Sequence, residues 1–251
     1  GKYLSKWISI AEKTWHDSGS TLDYVYKNTP QWNMIIGKII DSFYLESIGW
    51  KWIRVRKTHL WKMIEFAISQ LKNQNQEIKI LDIAAWHGRY ILDAVLPYKD
   101  SIKSILLRDY SDINVEAWWK LIVEKWLSGM AKFVNGNAFD WESIAQVEIK
   151  PTLWIVSGLY ELFSENALLQ NSLNWLQRAI EPNGYLIYTN QPWHPQVELI
   201  ARTLSSHRGG EAWVMRRRTQ AEMDSLVEQA WFKKIDQYID KWWIFSVSIA
   251  K

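Results

Sequence analysis

An α/β fold is expected for this chain: a seven-stranded, mostly parallel sheet that ends in an antiparallel hairpin and carries a helical N-terminal cap. Three features predict it. From residue 78 onward short apolar runs alternate with helical segments, which argues for a parallel sheet covered on both faces. The last two strand candidates, 232–239 and 243–250, are joined only by Asp240-Lys241-Trp242, too short for a crossover helix, so they must run antiparallel. Residues 1 to about 75 show no strand-like alternation, and the apolar spacing over 34–48 and 60–71 fits amphipathic helices. The expected division is a helical cap over 1–75 and a cofactor-binding domain over 76–251.

In order, the parallel strands are expected over 78–83, 102–107, 131–134, 152–156 and 185–189. Helices fill the gaps at 89–96, 112–126, 141–147 and 165–180, the last stopped by Pro182-Asn183-Gly184. Thr219-Gln220-Ala221-Glu222 is a capping box that opens a helix to about Ala230.

With 251 residues, 48% hydrophobic and 23% charged, the chain can bury a full core as one domain with an appendage. Thirty basic against 27 acidic residues leave +3, too little to make nucleic acid or an anionic membrane the default partner. The absence of cysteine excludes a disulfide, a thiolate metal site and a cysteine nucleophile, and the five histidines show no metal-ligand spacing. No apolar run reaches about 18 residues and no signal segment opens the chain, so no membrane span is expected and the expected compartment is cytoplasmic. Gly1 in place of an initiator Met suggests a trimmed chain or an excised domain.

Eighteen tryptophans are far outside ordinary usage. Trp15, Trp32, Trp52, Trp86, Trp126, Trp231 and Trp243 fall where turns or loops are expected. The codon TGG lies one base from GGG, CGG and AGG, so many of these residues are read as standing in for glycine or arginine. A natural tryptophan-rich core is the alternative. If the chain folds, most of these indoles must point outward or into the cap interface, because a large residue in a packed turn overpacks its neighbours.

After Glu77 a buried strand runs through Asp82 into Ile83-Ala84-Ala85-Trp86-His87-Gly88 and on into a helix, the pattern of a nucleotide-cofactor loop. The next apolar run closes on Arg108-Asp109, which sets a carboxylate at the neighbouring strand tip, where ribose hydroxyls can be held. Trp86 stands where a glycine would let backbone and cofactor approach. Over 76–251 the arrangement resembles the Rossmann-like sheet of class I S-adenosylmethionine-dependent methyltransferases, which favours S-adenosylmethionine over NAD.

That resemblance implies roles. Asp82 would hold the loop or the methionine amino group, with Ala84, Trp86 and Gly88 lining the cofactor. Asp109 would accept from the ribose, Tyr110 would lie against adenine, and Asn137, Ala138 and Phe139 would form the adenine slot. Ser157 and Gly158 would face the sulfonium, with Tyr160 or Glu161 nearest the transferred methyl. Plainer alternatives stand beside some of these: Asp82 tying a loop, an Asn135-Gly136 turn, Glu161 as a helix-start carboxylate.

Asn190-Gln191-Pro192-Trp193 follows the fifth strand, so it is not the Asn-Pro-Pro-Tyr box that follows strand four in amino-directed methyltransferases; residues 192–195 read as a pocket wall. His194 there is a candidate base or substrate contact, or a surface histidine. One of Arg54 and Arg56 can clamp a carboxylate, while Arg216-Arg217-Arg218 is an RNA contact or a solvated face. The tracts 22–26, 44–57 and 190–195 are also similar to a group of bacterial methyltransferase domains sometimes attached to an α/β-hydrolase domain, so an upstream hydrolase domain would fit the start at Gly1. The expected function is methyl transfer from S-adenosylmethionine to a small-molecule or lipid-like acceptor, the alternative a folded, non-catalytic domain disabled by Trp86.

Overall fold

A computed structural model of the chain describes residues 5–31, 35–145, 147 and 150–251. Four helices come first: α1 (Lys6–Thr14), α2 (Gly19–Lys27), α3 (Ile35–Leu45) and α4 (Ile48–Asn73). Ser5 and Ser18 start α1 and α2 by accepting the backbone N–H of Ile8 and Thr21, groups a helix cannot satisfy itself. The long α4 joins two cores. Trp50, Trp52 and Ile53 pack among the cap residues Trp7 and Leu22. Farther along, Leu60, Met63, Ile64, Ala67, Ile68 and Leu71 recur at helical spacing and bury against the sheet.

The remaining elements are β1 (Ile78–Asp82), α5 (Arg89–Val95), β2 (Ile102–Asp109), α6 (Asp112–Glu124), β3 (Ala131–Asn135), α7 (Trp141–Ala145), β4 (Leu153–Val156), α8 (Asn166–Ala179), β5 (Tyr185–Asn190), α9 (Val197–Thr203), α10 (Gln220–Gln229), β6 (Lys234–Ile239) and β7 (Ser246–Ala250). They form one seven-stranded sheet in the order β3-β2-β1-β4-β5-β7-β6. Pairing is parallel from β3 to β5, and β7 is antiparallel to both β5 and β6, as the short connection requires. Alternation divides the faces. Ile78 and Ile80 of β1 join α4 and α5, whereas Leu81 and Ile83 join α8 and α10.

Strand order reverses between β1 and β4, so the crevice outside their C-terminal ends is where this topology receives a ligand. Helix α9 follows β5 beyond the 192–195 loop. Two local readings need correction. The hairpin turn runs over 240–245, because the Asp240 carboxylate gathers the N–H groups of Trp242, Ile244 and Phe245. Trp52 lies inside α4 and not in a turn. Trp32, Met34 and Gln146, which the sequence reading assigned to a turn and two helices, lie outside the described residues. No helix among the described residues is long and apolar enough to cross a membrane.

Candidate functional site

The tips of β1 and β2 bring two carboxylates together. Asp82 pairs with Leu107, so Asp109 lies two residues farther along the adjacent strand. Asp82 is fully buried; it accepts from the Tyr90 hydroxyl and from the Ala84 N–H at 3.4 Å. Loss of water pushes its carboxyl up to about 7. Asp109 accepts from Trp86 N at 2.8 Å through Oδ2, and from Ser111 N and Asn114 Nδ2, both at 2.9 Å, through Oδ1. Burial raises its carboxyl too, and the three hydrogen bonds oppose the shift. The loop between β1 and α5 holds buried Ala84 and Ala85, then turns left-handed at Trp86 (φ 54°) and at Gly88 (φ 65°), where α5 begins.

The indole of Trp86 occupies the gap toward β4. Its Nε1 is buried without an acceptor and lies 3.6 Å from where a Cβ on Gly158 would stand. Gly158, also left-handed at φ 74°, donates its N–H to Thr189 Oγ1 at 2.9 Å. On its open side is Arg56 of α4, with Nη2 3.3 Å from the same Cβ position. Arg56 reaches Glu161 Oε1 at 3.2 Å, and its guanidinium lies 4.7 Å from the centre of the Phe245 ring. Both charges are buried, and Arg56 Nε and Glu161 Oε2 have no partner. Desolvation raises the Glu161 carboxyl against the opposing pull of Arg56.

Of Arg54, Arg56 and Lys57, Arg56 is the one that turns toward the crevice. Arg54 binds the Leu45 carbonyl and Glu46, and Lys57 pairs with Asp93. On the other flank Ala138 is buried and Phe139 meets Phe163 edge-on at 4.5 Å, while Tyr110 is 75% exposed. Asn137 spends its side-chain oxygen on the Phe139 N–H. Ser157 is buried at the end of β4.

Three sequence readings are overturned by geometry. Tyr160 is not beside the crevice: its ring belongs to the core under α8, and its hydroxyl meets Ser172 Oγ at 3.1 Å. His194 is neither a surface residue nor a free base. It is buried against Gly49 of α4, Nδ1 accepts from Gln196 N at 3.1 Å, and burial with the nearby charge of Arg217 lowers it to about 4. The Arg216-Arg217-Arg218 run is not three solvated charges: Arg217 is exposed, but Arg218 is buried and donates to the Tyr160 and Phe163 carbonyls and to Asn166.

A strap over 204–216, which sequence reasoning missed, crosses the mouth. Asp17 anchors it, accepting from Ser206 Oγ and from His207 N, both at 2.6 Å. His207 then meets the Trp86 ring edge-on at 5.3 Å. Burial alone would raise the Asp17 carboxyl, but these partners hold it below the usual range. The only sequence signal was the polar turn His16-Asp17-Ser18-Gly19.

The crevice fits S-adenosylmethionine on chemical grounds, with one adjustment. Asp109 has lone pairs left for ribose hydroxyls, since an ionised carboxylate accepts about four hydrogen bonds and three are taken. Arg56 Nε and Trp86 Nε1 are buried donors without acceptors, the complement of a carboxylate. The adjustment is the Trp86 ring, which must turn out of the gap between β1 and β4 for a methionine arm to enter.

Comparison with known proteins agrees with this architecture. A possible exported protein from Bordetella parapertussis superposes with TM-score 0.69 at 14% identity, covering 93% of this chain and 78% of that one. An S-adenosylmethionine-dependent methyltransferase from Clostridium acetobutylicum superposes with TM-score 0.56 at 10% identity, covering 74% and 89%. At such identities the likeness concerns the fold. In sequence, the chain is 50% identical over 246 residues to the uncharacterized protein YnbC of Escherichia coli K12, covering 98% of this chain and only 42% of YnbC. A family model described as "Putative methyltransferase" matches residues 1–251, and the chain belongs to that methyltransferase family.

Proposed function

We propose that the chain binds S-adenosylmethionine at the tips of β1 and β2 and transfers its methyl group to a small-molecule or lipid-like acceptor. The acceptor lies against the segments that follow β4 and β5. One observation carries this reading: Asp82 and Asp109 stand at adjacent strand tips, and Asp109 is locked to the cofactor loop through Trp86 N. In this reading Asp109 takes the ribose hydroxyls and Asp82 tethers the loop. Ala84 and Gly88 allow close approach. Tyr110, Asn137, Ala138 and Phe139 flank the adenine, and Ser157, Gly158 and Arg56 bound the methionine arm. Family membership weighs against a domain that has lost catalysis.

The bound cofactor supplies a methyl group on a sulfonium, a good leaving group, so the protein's part is mainly alignment and exclusion of water. Of the three candidate catalytic residues, Glu161 alone remains beside the crevice. Burial raises its carboxyl, which makes the ionised form a stronger base, able to take the proton from an acceptor that must lose one.

Calorimetry with S-adenosylmethionine and S-adenosylhomocysteine tests the proposal. Dissociation constants in the micromolar range are expected, weakened at least about tenfold by Asp109→Asn, since a charge-assisted hydrogen bond contributes roughly 1.5–3 kcal/mol. Absence of heat for both compounds, in the chain and in Trp86→Gly, would overturn it.

A further inference from the structure

A cleft of about 420 Å3 opens beside the β4 tip, between the turn that carries Glu161 and the strap. This is within the range of about 300–1,000 Å3 that small-molecule sites occupy. Its walls are part apolar and part polar, and Leu162, Phe163, Leu168, Val214 and Met215 supply the apolar side chains. Two arginines share the lining, and each has a buried Nε–H without an acceptor. Arg216 is paired with Glu222. Arg208 has no carboxylate partner among the described residues; its guanidinium lies 5.5 Å from the centre of the Phe163 ring. Ser164 and Glu165 form an exposed rim.

We propose that this cleft is the acceptor site and takes an amphipathic oxyanion, a compound with an apolar body and a carboxylate or phosphate head read by Arg208 and Arg216. A buried guanidinium N–H left without an acceptor is costly, and an oxyanion is the group that matches two such forks. The five apolar side chains require a hydrophobic body in the same molecule. A purely polar acceptor would leave those walls wet. Arg216 N donates to the Glu161 carbonyl at 2.7 Å, which ties the strap side of the cleft to the turn beside the crevice. Naming this ligand the acceptor rests on the methyl-transfer reading; its binding does not.

The test uses decanoate, decyl phosphate and decanol as probes, titrated calorimetrically into the full chain with and without S-adenosylhomocysteine. One or both anions should bind at least about tenfold tighter than decanol, and whichever is tighter identifies the head group. Arg208→Gln should erase that preference and leave decanol unchanged. Val214→Glu, at an exposed wall position that spares the fold, should weaken the anions by a similar factor. Equal affinity for all three probes, or anion binding indifferent to both substitutions, would overturn the proposal. Loss of S-adenosylhomocysteine binding alone, with decanoate still held, would sink the methyl-transfer reading and leave the cleft as an oxyanion site.

Discussion

Trp86 and Trp231 share a backbone conformation, φ 54° and 67°, and differ in everything else. Trp86 bends the loop between β1 and α5, and its ring fills the gap between β1 and β4, with Gly158, Arg56 and His207 around it. Trp231 follows α10 with 85% of its surface in water. Left-handed backbone strains any side chain, costing about 1–2 kcal/mol. At Trp231 that strain is the whole effect, whereas at Trp86 it is coupled to a buried polar cluster. The same substitution should therefore change binding in one place and stability alone in the other.

The largest effect belongs to the inner region's charges. Arg56→Met leaves Glu161 buried and uncompensated, which should cost about 3–5 kcal/mol in denaturant unfolding, while Arg56→Met combined with Glu161→Leu should recover most of it. If the single variant loses under about 1 kcal/mol, the cluster is wet and resembles the outer turns after all.

Asp82 gives the same region a pH signature. Its folded carboxyl is raised to about 7, while the unfolded value is near 4. The folded protein thus holds the proton more tightly, and stability present below about pH 4 is lost as pH rises toward about 7. The slope is at most about 1.4 kcal/mol per pH unit from this one group. Thermal melts between pH 5 and 7 should show Asp82→Asn flattening that slope, with a remainder from Glu161 and Asp109, shifted the same way. An unchanged slope would mean that Asp82 is ionised throughout.

Trp86→Gly comes next. It relieves the left-handed strain and frees the methionine gap. Displacing a largely buried side chain costs roughly 1.5–3 kcal/mol, so S-adenosylhomocysteine should bind about ten to a hundred times more tightly. No gain would mean that the ring already swings clear.

How much was legible follows the same inner and outer division. Strand positions, the parallel order of alternation and the terminal hairpin depend on local periodicity and loop length, and they could be read from neighbouring residues alone. Asp82 and Asp109 were legible because each ends an apolar run. The Arg56–Glu161 pair spans 105 positions and nothing local distinguishes Arg56 from Arg54. Tyr160 and His194 were misplaced for a related reason: a short turn sends adjacent side chains to opposite faces of the sheet, which sequence spacing does not record. The turn tryptophans were read well in part. Trp15, Trp86, Trp126, Trp231 and Trp243 all have positive φ, which glycine accepts freely and arginine does not, so glycine is the residue these backbones suit.

The smallest effect is the cleanest, because it isolates the backbone term. Helices α6 and α10 both end in a Schellman motif. Trp126 N donates to the Val123 carbonyl and Leu127 N to Ile122; Trp231 N donates to Glu228 and Phe232 N to Val227. The left-handed C′ position, ordinarily glycine or asparagine, is tryptophan in both. Helix α4 makes the same two bonds with Asn75 there, at φ 54°. With 89% and 85% of their surfaces exposed, Trp126 and Trp231 gain little from burial to offset the strain. Trp126→Gly and Trp231→Gly should each stabilise the fold by about 1 kcal/mol, raising Tm by roughly 2–4 °C, with ligand binding unmoved. Asn75→Trp should lower Tm by a similar amount. Should the two glycine variants melt at or below the parent temperature, left-handed strain is not the term that Trp86 and Trp231 share, and the inner residue owes its effect to packing alone.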